Sequence, residues 1–158
     1  KREMYDGIVY PEGKLYEDIF TMYQTMLRAE NIAYSPVVKA GYRQRSSSQS
    51  KQAFTTREMD CIDQVGLVCY DVIKKFPNLS KAAACRFLSA NFHIFFMIPK
   101  GEYKVQLKQC WENIKKFRRI VLFDSKARKK ARVAALLSLS GIKITHTIGR
   151  RILKKQKM

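Results

Sequence analysis

The spacing of proline constrains the fold of this chain more than any other feature. The sequence has 158 residues and four prolines, of which only Pro77 and Pro99 lie beyond residue 53. Apolar residues recur at three-to-four spacing between these points, which is typical of helices. Because proline interrupts a helix, the two prolines divide the region into separate elements. We predict helices over residues 55–76, 80–97, 103–123 and 126–154.

The first third of the chain begins with a turn and a helix. Pro11 and Gly13 punctuate the turn. A helix is predicted over residues 16–29, with Glu17 and Asp18 in its first turn, where the helix dipole favours negative charge. Its apolar residues repeat at three-to-four spacing and share one face: Ile19, Met22, Tyr23, Met26 and Leu27.

Two short strands and a polar loop are predicted after that helix. The strands cover Ile32–Tyr34 and Val37–Val38, on either side of Ser35-Pro36. Residues 42–52 have the polar composition of a loop. The sequence therefore predicts a mainly α fold with a small β component.

The charge is concentrated in the second half. The formal net charge is +18; residues 1–99 carry 13 basic and 10 acidic side chains, and residues 100–158 carry 18 and 3. Such a basic region indicates an anionic partner. In Lys126–Met158, basic clusters flank a leucine-rich stretch, as in helices that bind an anionic membrane surface. Two alternatives remain open: this helix packs its apolar side on the protein, or the chain is a non-enzymatic helical module that binds nucleic acid.

The cysteines and histidines do not indicate a metal site. Cys61, Cys69, Cys85 and Cys110 form no close pair, so we expect no zinc site and predict that all four are buried core residues in a reducing compartment. His93 lies among phenylalanines and is predicted to be buried. His146 has no predicted partner.

Two groups of residues have the chemistry of a transferase site. Glu17 and Asp18 are either helix-capping acids or a general base that removes a proton from a hydroxyl. In the loop, Arg43 and Arg45 alternate with polar residues. Guanidinium groups bind phosphate in a bidentate manner, although a solvated surface loop has the same composition.

Taken together, these stretches resemble the bacterial family-two glycosyltransferases of the GT-A fold. The resemblance rests on Tyr-Pro-Glu-Gly-Lys-Leu-Tyr-Glu-Asp at residues 10–18 and on Tyr-Arg-Gln-Arg-Ser-Ser-Ser at residues 42–48. It covers about the first third of the chain. It implies inverting transfer of a sugar from a nucleotide-diphosphate donor to a glycan or lipid-linked acceptor, in the synthesis of cell-surface polysaccharide.

The resemblance also assigns roles to residues of this sequence. It implies that Asp18 is the catalytic base and that Glu17 shapes the acceptor site. It places four residues at the donor phosphates: Arg43, Arg45, Ser46 and Ser48. It also implies a cytoplasmic location, peripheral at the inner face of the bacterial plasma membrane, with anionic lipid rather than nucleic acid as the partner of the tail.

One feature of that family is missing from these residues. Its members hold Mg²⁺ or Mn²⁺ through an Asp-x-Asp motif, and no Asp-x-Asp occurs in this sequence. We therefore expect an inactive fragment that binds no metal by itself. Residues 1–52 would be the C-terminal part of the GT-A catalytic domain, residues 53–125 a helical extension and residues 126–158 a basic amphipathic tail helix.

Overall fold

A computed structural model of the chain describes residues 2–41, 43 and 53–156. Within these residues the regular elements are helical. The α-helices are α1 (Glu17–Arg28), α2 (Asp60–Lys75), α3 (Ser80–Met97), α4 (Lys104–Leu122), α5 (Lys129–Leu137) and α6 (Ile142–Gln156). Short 3-10 turns cover Arg2–Tyr5, Thr56–Met59, Pro77–Leu79 and Ser138–Ser140.

The prolines divide the helices as predicted. Phe76, which precedes Pro77, leaves the helical conformation with φ −132° and ψ 71°. Ile98, which precedes Pro99, is extended with ψ 126°. This is the effect of a proline ring on the residue before it. The bounds of α3 agree with the prediction, and those of α4 differ by one residue at each end.

The predicted fourth helix is wrong as a single element. Gly141 adopts φ 97° and ψ 164° between the turn that follows α5 and the start of α6. Because side chains other than hydrogen rarely tolerate this conformation, a glycine separates the two helices. The sequence contains a signal for this break, since a glycine after a run of helical residues commonly marks a helix end.

Helix α3 is the centre of the fold. It contacts α2, α4, α5 and α6, and half of its 18 residues are buried. Asn91 is fully buried there: its amide donates to the Phe87 carbonyl at 2.9 Å and accepts from the Asn113 amide at 2.9 Å. This pair ties α3 to α4 without leaving the buried amide unsatisfied. All four cysteines are buried and free, which confirms that they are core residues.

The small β component is wrong. No strand occurs in the part of the chain that the structure describes, and Ile32–Tyr34 and Val37–Val38 are irregular. A strand is stable only when its backbone groups pair with a neighbour, and Pro36 lacks a donor. No described segment supplies that pairing. These residues therefore do not form the C-terminal half of a GT-A α/β domain, and the described fold is a bundle of helices.

The apolar face of α1 is only partly buried, since Ile19 packs against the core and Tyr23 is half-buried. The helix buries Thr21 and Thr25, while Met22, Met26 and Leu27 are exposed. The threonine hydroxyls donate to carbonyls one turn back, Glu17 and Thr21 respectively, so their burial leaves no polar group unpaired. Helix α1 packs on α2, where the Tyr23 hydroxyl donates to Asp71 at 2.8 Å, and turns Met22, Met26 and Leu27 outward.

Candidate acceptor site at the start of helix α1

The segment before α1 is attached to the start of α2. The Asp60 carboxylate accepts from the Lys14 ammonium at 2.8 Å and from the Leu15 amide at 3.0 Å. The Arg57 guanidinium donates to the Gly13 carbonyl at 3.2 Å. Asp60 is buried, so these partners satisfy a carboxylate that would otherwise be costly to remove from water. The turn and the entry to α1 are therefore attached through both backbone and side chains.

Tyr16 links this segment to the 3-10 turn that precedes α2. Its hydroxyl donates to Glu58 Oε2 at 2.7 Å. Burial, and then the hydrogen bond to Glu58, raise the pKa of the Tyr16 hydroxyl well above its usual value, so it stays a donor. Its backbone is left-handed, with φ 60°, a strained conformation for an aromatic residue. The surrounding contacts hold it in place directly before the two acids.

Thr55 and Glu58 have the residue types and spacing of a capping box, but this capping box does not form. Thr55 makes no side-chain cap, and the Glu58 carboxylate is used by Tyr16 instead. Glu58 is only 8% exposed. The tertiary contact thus replaces the local one, because a buried carboxylate gains more from a hydroxyl donor than from an exposed helix end.

Glu17 and Asp18 lie in the first turn of α1, as predicted. Glu17 is half-buried and Asp18 is exposed. The Lys14 ammonium is bonded to Asp60 on α2, and the Tyr16 hydroxyl is bonded to Glu58 in the 3-10 turn before it. An exposed carboxylate of this kind, on a fixed helix start, is able to accept a proton from a bound hydroxyl.

The predicted phosphate loop is only partly described. Arg43 lies exposed in irregular chain. Arg45, Ser46 and Ser48 lie outside the described residues. The structure therefore describes the two acids on α1 but only Arg43 of the four donor-phosphate residues, and the donor side of the site remains a prediction.

The described residues do not fit a divalent metal. They contain no group of three or more acidic, histidine or cysteine side chains that could hold an ion. Asp60 and Asp63 are close in sequence on α2, but the Asp60 carboxylate is bonded to Lys14 and Leu15.

The basic tail packs on α3 through one of its faces. His146 is buried, with Nε2 at 3.1 Å from the Ile98 carbonyl and its ring edge-on to Phe95 at 5.0 Å. Arg150 donates to the carbonyls of Met97 and Ile98. These contacts supply hydrogen-bond partners to the carbonyl groups at the end of α3, which have no partner within the helix. Sequence reasoning gave His146 no partner, since the partner is a backbone group 48 residues away.

His93 shows the opposite outcome, because it is exposed although its neighbours predicted burial. On a helix, residues next to each other in sequence point in different directions. Burial of Phe92, Ile94 and Phe95 therefore says little about the residue between them.

The tail also exposes a mixture of large apolar and basic side chains. Six large apolar side chains are exposed on α5, the following turn and α6: Val133, Leu136, Leu139, Ile144, Ile148 and Ile152. Exposed basic residues flank them: Lys129, Lys130, Arg132, Lys143 and Arg151. We call this set of side chains the tail surface. None of the described helices has the length and apolarity needed to cross a bilayer.

Comparison with protein-family models, with curated proteins and with solved structures finds no match for this chain.

Proposed function

We propose that this chain is part of an inverting glycosyltransferase that moves a sugar from a nucleotide-diphosphate donor to a hydroxyl of a glycan or lipid-linked acceptor. The observation that carries the proposal is the setting of Asp18. Its carboxylate is exposed at the start of α1, directly after a segment that Glu58 and Asp60 attach to α2. A general base needs this combination of access and fixed position.

In the proposed reaction, Asp18 removes the proton from the acceptor hydroxyl. The freed oxygen attacks the anomeric carbon, and the bond from that carbon to the donor diphosphate breaks, so the electron pair leaves with the nucleotide. Arg43 and Arg45 neutralise the charge that develops on this leaving group. Hydroxyls of Ser46 and Ser48 donate to it, and Glu17 shapes the acceptor site. Tyr16 is a positioning residue, since it acts through α1.

The exposed apolar side chains of α1 support the proposal that the enzyme has a further part. Met22, Met26 and Leu27 are exposed together on α1, and apolar residues of the 32–38 segment are exposed as well, with Tyr34 and Val38 each 89% exposed. An exposed apolar patch usually marks an interaction surface. We infer that a further part of the enzyme covers it and supplies the donor nucleotide site and any Mg²⁺ or Mn²⁺. The chain alone would then be inactive.

The tail surface supports a peripheral position on an anionic membrane. Apolar side chains flanked by lysine and arginine suit the interface of a bilayer with negative headgroups. Nucleic acid is the less suitable partner, because the exposed side chains between the cations are aliphatic and offer no platform for stacking bases. Binding to a membrane would bring the enzyme to a lipid-linked acceptor in cell-surface polysaccharide synthesis.

The test uses Asp18→Asn in the longer chain that the proposal implies. Turnover is measured as nucleotide diphosphate released from a panel of uridine and guanosine diphosphate sugars, and donor binding is measured by calorimetry. We expect turnover to fall by roughly 10²–10⁴-fold with donor binding unchanged. The matched control is Glu30→Gln, which removes an exposed acid beyond the other end of α1. Unchanged turnover in Asp18→Asn would refute the role of this residue.

A further inference from the structure

A large cavity lies at the opposite end of α2 from Asp18. It has a volume of about 900 Å³ and is bordered by the 77–82 segment, the adjoining turns of α3 and the connection between α4 and α5. None of the residues that line it belongs to α1, to the segment before α1 or to α2. The cavity is therefore distinct from the proposed acceptor site.

Four cationic side chains line this cavity: Lys81, Arg86, Lys126 and Arg128. All four are exposed, and none forms an ion pair with another described residue. Uncompensated cations that line one concavity raise the local concentration of anions. These cations do not lie on an open protein surface. They border a cavity that is large enough for a small ligand.

A single acid lies among these cations. Asp124 is 9% exposed, and its Oδ1 accepts from the Lys126 amide at 3.0 Å. This bond fixes the turn between α4 and α5 and orients the carboxylate toward the backbone. With one acid against four bases, the lining keeps a formal net charge of +3.

The polar groups of the cavity suit phosphate. Helices α3 and α5 both begin at its wall, and neither has a side-chain cap. Their positive dipole ends add to the four cations. Hydroxyls of Ser80 and Ser125 line the same space, and arginine forks match phosphate oxygens. Apolar side chains, Leu79 and Ala127 among them, form the rest of the wall.

We propose that this cavity binds the phosphate of an organic phosphomonoester or diphosphate. The cations and helix starts would hold the phosphate oxygens, and the apolar wall would contact the organic part. Such a ligand is either a free nucleotide-type compound or a lipid headgroup, since both present the same phosphate chemistry. The assignment does not depend on the role of Asp18.

The first arm of the test uses inorganic pyrophosphate and calorimetry at low salt. The pocket variant is Arg86→Gln with Arg128→Gln, and the control is Lys104→Gln with Lys108→Gln, which removes equal charge from exposed positions on α4 outside the cavity. We expect the pocket variant to weaken binding by roughly tenfold or more and the control to have little effect. Circular dichroism checks that each variant is folded. If the pocket variant is not, Lys81→Gln and Lys126→Gln replace it.

The second arm uses vesicles of phosphatidylcholine with either phosphatidic acid or phosphatidylglycerol at equal surface charge. Only phosphatidic acid exposes a phosphomonoester. A preference for it that the pocket variant loses and the control keeps supports a lipid source, and pyrophosphate binding with the same pattern supports a soluble source. Equal losses in the two variants, or no pyrophosphate binding together with no preference between the vesicles, would overturn the proposal.

Discussion

Replacing Gly149 by alanine tests whether the basic tail belongs to the folded core. Gly149 is buried in α6, and a Cβ at this position would overlap the ring of Phe96 on α3. That ring has little room to move, because it stacks on Phe92 at 5.5 Å and lies 5.7 Å from Phe95. Arg150 donates to the end of α3, which restricts movement of α6 away from the ring.

Two opposing effects set the magnitude. Alanine is favoured over glycine in a helix interior by about 1 kcal/mol. Overpacking a filled site costs about 1–3 kcal/mol. The expected result for Gly149→Ala is a net decrease of up to about 2 kcal/mol in the free energy of unfolding. For a chain of this size, each kcal/mol lowers Tm by about 2–4 °C.

Gly66→Ala in α2 is the matched control. A Cβ there would lie 3.3 Å from Phe87 Cε2, a tight contact that a small shift of the ring relieves. We expect its stability to change little, because the gain in helix propensity offsets that shift. Thermal unfolding followed by circular dichroism measures both variants. A higher Tm for Gly149→Ala than for the parent chain would refute the packing of α6 on α3.

Three further predictions concern individual side chains of the site and the tail. Tyr16→Phe removes the donor to the buried Glu58 carboxylate and should lower the free energy of unfolding by about 1–3 kcal/mol, measured by urea denaturation. Burial, with Arg150 and Lys100 nearby, lowers the pKa of His146 below 6.5, so the unfolded chain takes up a proton first as pH falls. Stability should therefore decrease as pH falls through 6.5, and His146→Gln should remove that decrease in a pH series of urea denaturation. Ile152→Ser should weaken binding to anionic vesicles by about tenfold in a sedimentation assay; unchanged binding would exclude that side chain from the membrane contact.

The site at α1 was predictable in part. The order of residues placed Glu17 and Asp18 in a first helical turn, and the structure confirms this position. The attachment of the preceding segment was not predictable, since it depends on Glu58 and Asp60, which lie more than 40 residues away. Helical spacing could not reveal these pairs, because it reports only neighbours within one element.

The sequence by itself determined the features that depend only on local conformation or on composition. Pro77 and Pro99 restrict the backbone of the residue before them wherever the chain lies, so the ends of α2 and α3 followed from the residue order. The net charge of the second half and its amphipathic pattern likewise need no tertiary contact to be recognised.

Only the tertiary structure decided which surfaces are buried. Helix α1 buries threonines and exposes methionines, although its periodicity favoured the reverse. The tail packs one face on α3 and leaves a second apolar face exposed. The physical reason is that burial depends on which surfaces meet and how closely they fit, while periodicity shows only which residues share a side of a helix.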